Sequence, residues 1–120
     1  MWWVYLGVVF VHGLIHLMGV TEGLGLADVE QLTEPVDEAA GVLWLLAAVG
    51  VVGAGVMTAL RARGWWLVTV AAAAVSQVAI FTSWDDAKAG SVANILMLVA
   101  GGYGYTASRD PRKDEAPDRG

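Results

Sequence analysis

The sequence predicts an all-α protein: four antiparallel transmembrane helices in one bundle, with both termini in the cytoplasm. Three observations lead there. The 120 residues are 57% hydrophobic and only 16% charged, with a mean hydropathy of +0.58, where a soluble domain has about 45–50% and about 25%. A domain of this size has too little interior to hide that surplus from water, so its main solvent is lipid. The apolar residues gather in four stretches, each near the roughly 20 residues that cross a hydrocarbon core. The basic residues lie almost entirely on one side of those stretches.

The first span runs over 2–20, broken only by His12, His16 and a few small residues. It lacks the basic start and the small-residue cleavage site of a signal peptide, and reads as a span. The following segment carries Glu22, Asp28, Glu30, Glu34, Asp37 and Glu38 and no base. Leu24, Leu26, Val29 and Leu32 recur there at a spacing that suits a short surface helix. Glu34-Pro35 has the form of a helix start, proline being tolerated in a first turn and acids favoured there by the dipole. The second span covers about 39–60, and Arg61-Ala62-Arg63-Gly64 is a tight basic turn. The third covers 65–82, a polar turn over 83–91 holds Asp85, Asp86 and Lys88, and the fourth covers about 92–105.

Residues 1–107 form the transmembrane domain in this reading. Residues 108–120, charged and carrying Pro111 and Pro117, read as a disordered cytoplasmic tail. In lipid each span must satisfy its own backbone groups, which makes these stretches helices. Of the seven Lys and Arg residues, only Lys88 falls opposite the Arg61–Arg63 turn and the tail. The positive-inside rule therefore places both termini within, in a multi-pass protein of the cell membrane. Tryptophan agrees: Trp2, Trp3, Trp65 and Trp66 fall at inner ends, and Trp44 and Trp84 near outer ends, where an indole is half wet.

Several functions are excluded. The chain has no cysteine, so disulfide scaffolds, thiolate metal sites and thiol relays do not apply. A net charge of −5 argues against nucleic acid, whose binding needs a basic face. No phosphate-binding loop or hydrolase motif occurs, and no complete catalytic set is evident.

Polar residues inside the spans are the candidates for a site, since burying them costs energy. His12 and His16 are four apart and share a helix face. They suit hydrogen bonding between helices, ligation of a divalent metal or haem, or a contact to a proton or substrate. Counting residues from the span ends puts His16, Gln77 and Asn94 near one level, in the outer third. Ser76 accompanies Gln77, and Glu22, Trp84, Asp85 and Asp86 lie just above. These residues either clamp helices together or line a polar pocket open to the outside. Asp85, Asp86 and Lys88 suit a cation site or a local ion pair. Gly50, Gly53, Ala54 and Gly55, and Ala100, Gly101 and Gly104, offer close helix contact within the bundle or between subunits.

The segment Val11-His12-Gly13-Leu14-Ile15-His16-Leu17-Met18-Gly19 resembles one found in small prokaryotic four-helix membrane proteins of uncharacterised function. Ser76-Gln77, the run Ser83-Trp84-Asp85-Asp86-Ala87-Lys88-Ala89-Gly90-Ser91, and Ala93-Asn94 resemble the other half of that pattern. More distantly, four helices with His-Gly near the first resemble the DoxX-like group, some of which are linked to quinone or thiol metabolism. The resemblance implies no agreed activity. The expectation is a non-enzymatic accessory or assembly subunit with a polar outer pocket, in the bilayer as a homo-oligomer or part of a larger complex. A small-molecule, proton or cation binding or transport protein is the alternative, and a haem or metal protein using His12 and His16 the next. Quinone-linked oxidoreduction would need a redox group the chain itself lacks.

Overall fold

The computed structural model describes residues 1–30, 32–33, 35–110 and 112, and among them all regular structure is helical. α1 is Trp2–Gly23, α2 Glu38–Ala59, α3 Trp65–Thr82, α4 the single turn Trp84–Ala87, and α5 Gly90–Ser108. α1, α2 and α3 are each long and apolar enough to cross a membrane. α5, with 19 residues, carries Ser91, Asn94, three glycines of its C-terminal half and two tyrosines, which dilute its apolar character. Most of the tail expected to be disordered, 111 and 113–120, lies outside the described residues.

The helix ends follow from local chemistry. α1 continues three residues past the expected end, and Thr21 Oγ1 is satisfied within it by donating to the Met18 carbonyl at 2.9 Å. α2 does not begin at Glu34-Pro35. Asp37 is its N-cap, its carboxylate accepting from Ala40 N at 2.7 Å, and Pro35 precedes the helix. That cap meets an otherwise unpaired first-turn N–H, which proline at 35 cannot do. The surface helix expected over 24–32 is also absent from the described residues, which form turns and extended chain. Glu22 holds that loop instead, its carboxylate accepting from Val29 N at 2.8 Å. α2 and α3 are joined where Arg61 and Gly64 take φ of 52° and 76°, and the Arg61 guanidinium lies over the Trp2 ring. The start of α1 and the end of α2 therefore share one end of the bundle.

Packing runs in chain order: α1 on α2, α2 on α3, α3 on α5, while α1 and α5 touch only sparingly. Small residues set the separations. At Gly23 and Gly41 the backbones of α1 and α2 meet, and a Cβ on Gly41 would lie 2.9 Å from the Gly23 Cα. A Cβ on Gly101 would lie 2.6 Å from Val70 Cγ2, so α5 rests on α3 there. Gly53 is different: nothing stands within 4 Å of where its Cβ would be, so it makes no close contact in the bundle. Trp44 is also displaced from its expected role at the membrane surface. It is 2% exposed, lying against Gly19, with its Nε1 donating to Thr82 Oγ1 at 3.3 Å.

Two apolar clusters fill the interior. One joins Val9, Val51, Ala54, Ala72, Ala73 and Met97, and the other joins Val20, Val36, Trp44, Ala47 and Ala79. Along α1, α3 and α5 the polar residues His12, His16, Ser76 and Asn94 fall between them.

Candidate functional site: a polar seam and the cavity beside it

Burial without bonding is costly in lipid, so the partners of these polar side chains define the site. All are buried: His12 is 5% exposed, His16 1%, Ser76 0% and Asn94 2%. They form one connected chain. Gln77 Nε2 donates to Ser91 Oγ at 3.0 Å, and Asn94 Nδ2 donates to Gln77 Oε1 at 3.0 Å. The Asn94 carbonyl oxygen then lies 3.0 Å from His12 Nε2, and since it only accepts, His12 Nε2 carries the proton. Ser76 Oγ stands 3.1 Å from the same N–H and 2.7 Å from His16 Nε2. Sharing the His12 proton leaves the serine O–H free to donate to His16, at a separation typical of a hydroxyl donor. His16 is thereby protonated on Nδ1, and His12 is bare there.

Neither Nδ1 has a hydrogen-bond partner among the described residues, but their settings differ. His16 Nδ1 is fully buried without a hydrogen bond, as is Ser83 Oγ at the α3–α4 junction. The His16 ring meets the Trp44 ring edge-on, with centroids 5.0 Å apart. His12 Nδ1 is not sealed. It faces the start of α5, where a Cβ on Gly90 would come within 3.6 Å of it and 3.0 Å of Cε1.

His12 and Gly90 both line a cavity of about 560 Å³ between α1 and α5, roofed by the segment around α4. Its walls are mainly apolar, including Val8, Val11, Ile15, Ile80 and Ala93, with His12, His16 and Asp86 among the polar residues. Leu32 of the outer loop also lines it, and the neighbouring Thr33 is tied to Asp86. Thr33 N donates to Asp86 Oδ2 at 2.8 Å and the threonine hydroxyl donates to Oδ1.

The predicted site residues thus take different places. His16, Gln77 and Asn94 belong to one seam on α1, α3 and α5, but His16 does not touch Asn94. His12 makes that bond, and Ser76 joins the two histidines. The seam sits at the middle of α1. Asp86 lines the cavity, whereas Glu22 and Asp85 are not among its walls, Glu22 serving the outer loop. For a metal or haem, the His12 and His16 rings stand 4.7 Å apart, yet both Nε2 atoms are engaged by Ser76. Among the described residues no third His, Cys, Asp or Glu gathers with them. The residues understated by the sequence are Ser76, Ser91, Trp44 and Gly90. Ser76 carried a signal as the neighbour of Gln77, while Trp44 was read only as a membrane-surface residue and Gly90 and Ser91 only as part of the resembling run.

Comparison with family models, curated proteins and solved structures finds no match to this chain.

Proposed function

We propose that the chain is a four-span, non-enzymatic binding protein of the cytoplasmic membrane, holding a small, largely apolar molecule in the cavity between α1 and α5. The observation that carries this reading is that cavity of about 560 Å³, apolar-walled and bordered by buried histidines. Its volume lies within the roughly 300–1,000 Å³ usual for small-molecule sites, as does the pairing of apolar walls with few polar groups. The gap opens between α1 and α5, which touch only sparingly, and this supports entry from the bilayer. As a fourth span, α5 has 19 residues, about 28 Å at 1.5 Å per residue, close to the hydrocarbon thickness. The basic turn at Arg61 and Arg63 supports cytoplasmic termini. The resemblance to small four-helix, distantly DoxX-like membrane proteins is part of the same proposal.

Trp44 lines the cavity and supplies the test. In nanodiscs, 1-bromonaphthalene should quench part of the tryptophan fluorescence saturably. Trp44→Phe should remove that part, and so should Ala93→Phe, which fills the cavity without touching the seam. Quenching that only rises linearly with probe, as simple partition into lipid gives, would defeat the reading.

One observation favours a second role, as a subunit of a homo-oligomer or larger complex. Gly53 has open space before it, between the exposed Val49 and Val56 on the outer face of α2. A Gly53→Leu variant that alters oligomer size while leaving quenching intact would assign that face to assembly.

A further inference from the structure

The hydrogen bonds of the seam run in one direction, and that direction decides what the cavity can recognise. Ser91 accepts from the Gln77 amide, the Gln77 carbonyl accepts from the Asn94 amide, and the Asn94 carbonyl accepts from His12 Nε2–H. Each amide has its two ends committed, so neither turns over alone. A neutral imidazole carries one N–H, and with that proton held on Nε2 the other nitrogen, Nδ1, presents a lone pair. Nδ1 is the seam nitrogen left uncovered, because residue 90 has no side chain to sit over it. His16 has the opposite arrangement, with its Nδ1 sealed inside the protein.

Resting on the cavity-binding reading, we propose that the site selects a hydrogen-bond donor: an O–H or N–H group on an otherwise apolar molecule, received by His12 Nδ1. In the lipid-facing gap a donor has no water to bond, so a molecule carrying one gains a partner there that the acyl chains do not offer. An equally apolar molecule without the donor fits the walls but leaves the imidazole nitrogen unpaired. His12 reads the molecule, while Asn94, Gln77 and Ser91 are positioning residues that fix its tautomer.

The probes are 2-naphthol and 2-fluoronaphthalene, which share a body and differ in the donor. Binding to the full chain in nanodiscs, corrected for each probe's partition into empty nanodiscs, should favour 2-naphthol by roughly tenfold, the scale of one buried unpaired group. Gly90→Ala brings a methyl against the Cε1–Nδ1 edge of the His12 ring and removes no donor or acceptor of the seam, so it should abolish most of that preference, with the tautomers below checking that the seam is kept. Nitrogen-15 NMR of histidine-labelled protein reads the tautomers directly. His12 should be protonated on Nε2 and His16 on Nδ1, and 2-naphthol should shift the His12 Nδ1 resonance. Equal affinity for the two probes, with both lost in Ala93→Phe, would keep the cavity reading and overturn donor selection. If neither probe binds saturably, both readings are overturned. A His12 proton found on Nδ1 would overturn donor selection whatever the affinities, because the seam would then run the other way.

Discussion

Replacing Ser76 by alanine isolates the part of the seam that holds two histidines with one hydroxyl. Ser76 is 0% exposed, and its Oγ stands 3.1 Å from His12 Nε2 and 2.7 Å from His16 Nε2. The two rings lose unequally. His12 Nε2–H keeps Asn94 Oδ1 at 3.0 Å, whereas His16 loses the one hydrogen bond it makes among the described residues and is left with two buried nitrogens unpaired. Interhelical hydrogen bonds in membranes average about 0.6 kcal/mol when the partners can find substitutes. Here no substitute lies within reach, and a stranded buried group costs about 1–3 kcal/mol, so Ser76→Ala should destabilise the bundle by about 2 kcal/mol. The matched control is Thr58→Val. That hydroxyl donates only to the Ala54 carbonyl four residues back, and its loss strands nothing. Equilibrium unfolding in mixed micelles by SDS measures both. If Ser76→Ala costs no more than Thr58→Val, the seam does not determine the stability of the bundle.

Gly41→Ala should cost about 1–3 kcal/mol in the same assay, since its Cβ meets backbone of α1 that cannot swing aside, and Gly53→Ala should be neutral or stabilising by up to about 1 kcal/mol. A loss of stability in Gly53→Ala would show that a second chain packs there. Thr33→Val should speed proteolysis within 24–37 while leaving SDS unfolding nearly unchanged, because it removes one exposed hydrogen bond from the tie to Asp86. The chain has no cysteine, so single cysteines report topology cleanly. One at Asp28 should react with an impermeant reagent added to intact cells and one at Ala62 should not, and the reverse result would invert the proposed orientation.

The helices were legible because two strong constraints coincide in lipid, apolar length and internal backbone bonding. Their ends were less so. Thr21 and Glu22 look like loop residues by polarity, yet a threonine hydroxyl satisfied by its own helix continues α1 through Gly23. Pro35 has the form of a first-turn residue, but the carboxylate two positions on makes the better cap. The seam was legible as a set of costly groups that must meet. Its pairing was not, because depth was counted from helix ends assumed level. Gly90, the first residue of α5, stands beside His12 in the middle of α1, so α1 rises well past the start of α5. That stagger shifts the contact with Asn94 by one helical turn, from His16 to His12. The position of Trp44 was missed for a related reason. Its neighbour Gly19 leaves room for a whole indole, and nothing in the spacing of apolar residues marks which glycine will receive a ring.

The same stagger explains why the seam is more than a clamp. If its only purpose were to hold helices together, α1 and α5 would close on each other through small residues, as α1 and α2 do at Gly23 and Gly41. Instead α1 and α5 scarcely touch, and the His12–Asn94 bond crosses between them at the edge of an open cavity. In water such a gap would tend to collapse, but in the bilayer setting proposed for it lipid tails are as apolar as its walls and supply no hydrophobic drive to shut it. The gap therefore persists, held at a fixed width by packing of both helices against the α2–α3 pair. One nitrogen of His12 is spent on fixing that geometry, and the other lies beside Gly90, which lines the gap. The bond that sets the rotation of α1 is thus also the bond that sets the proton on the ring, so any substitution that frees Asn94 from His12 must alter recognition along with packing. Asn94→Leu should show both effects at once: loss of stability, and a mixture of His12 tautomers in the nitrogen-15 spectrum. A stable Asn94→Leu bundle with His12 still protonated on Nε2 alone would separate the two roles and leave the seam a clamp.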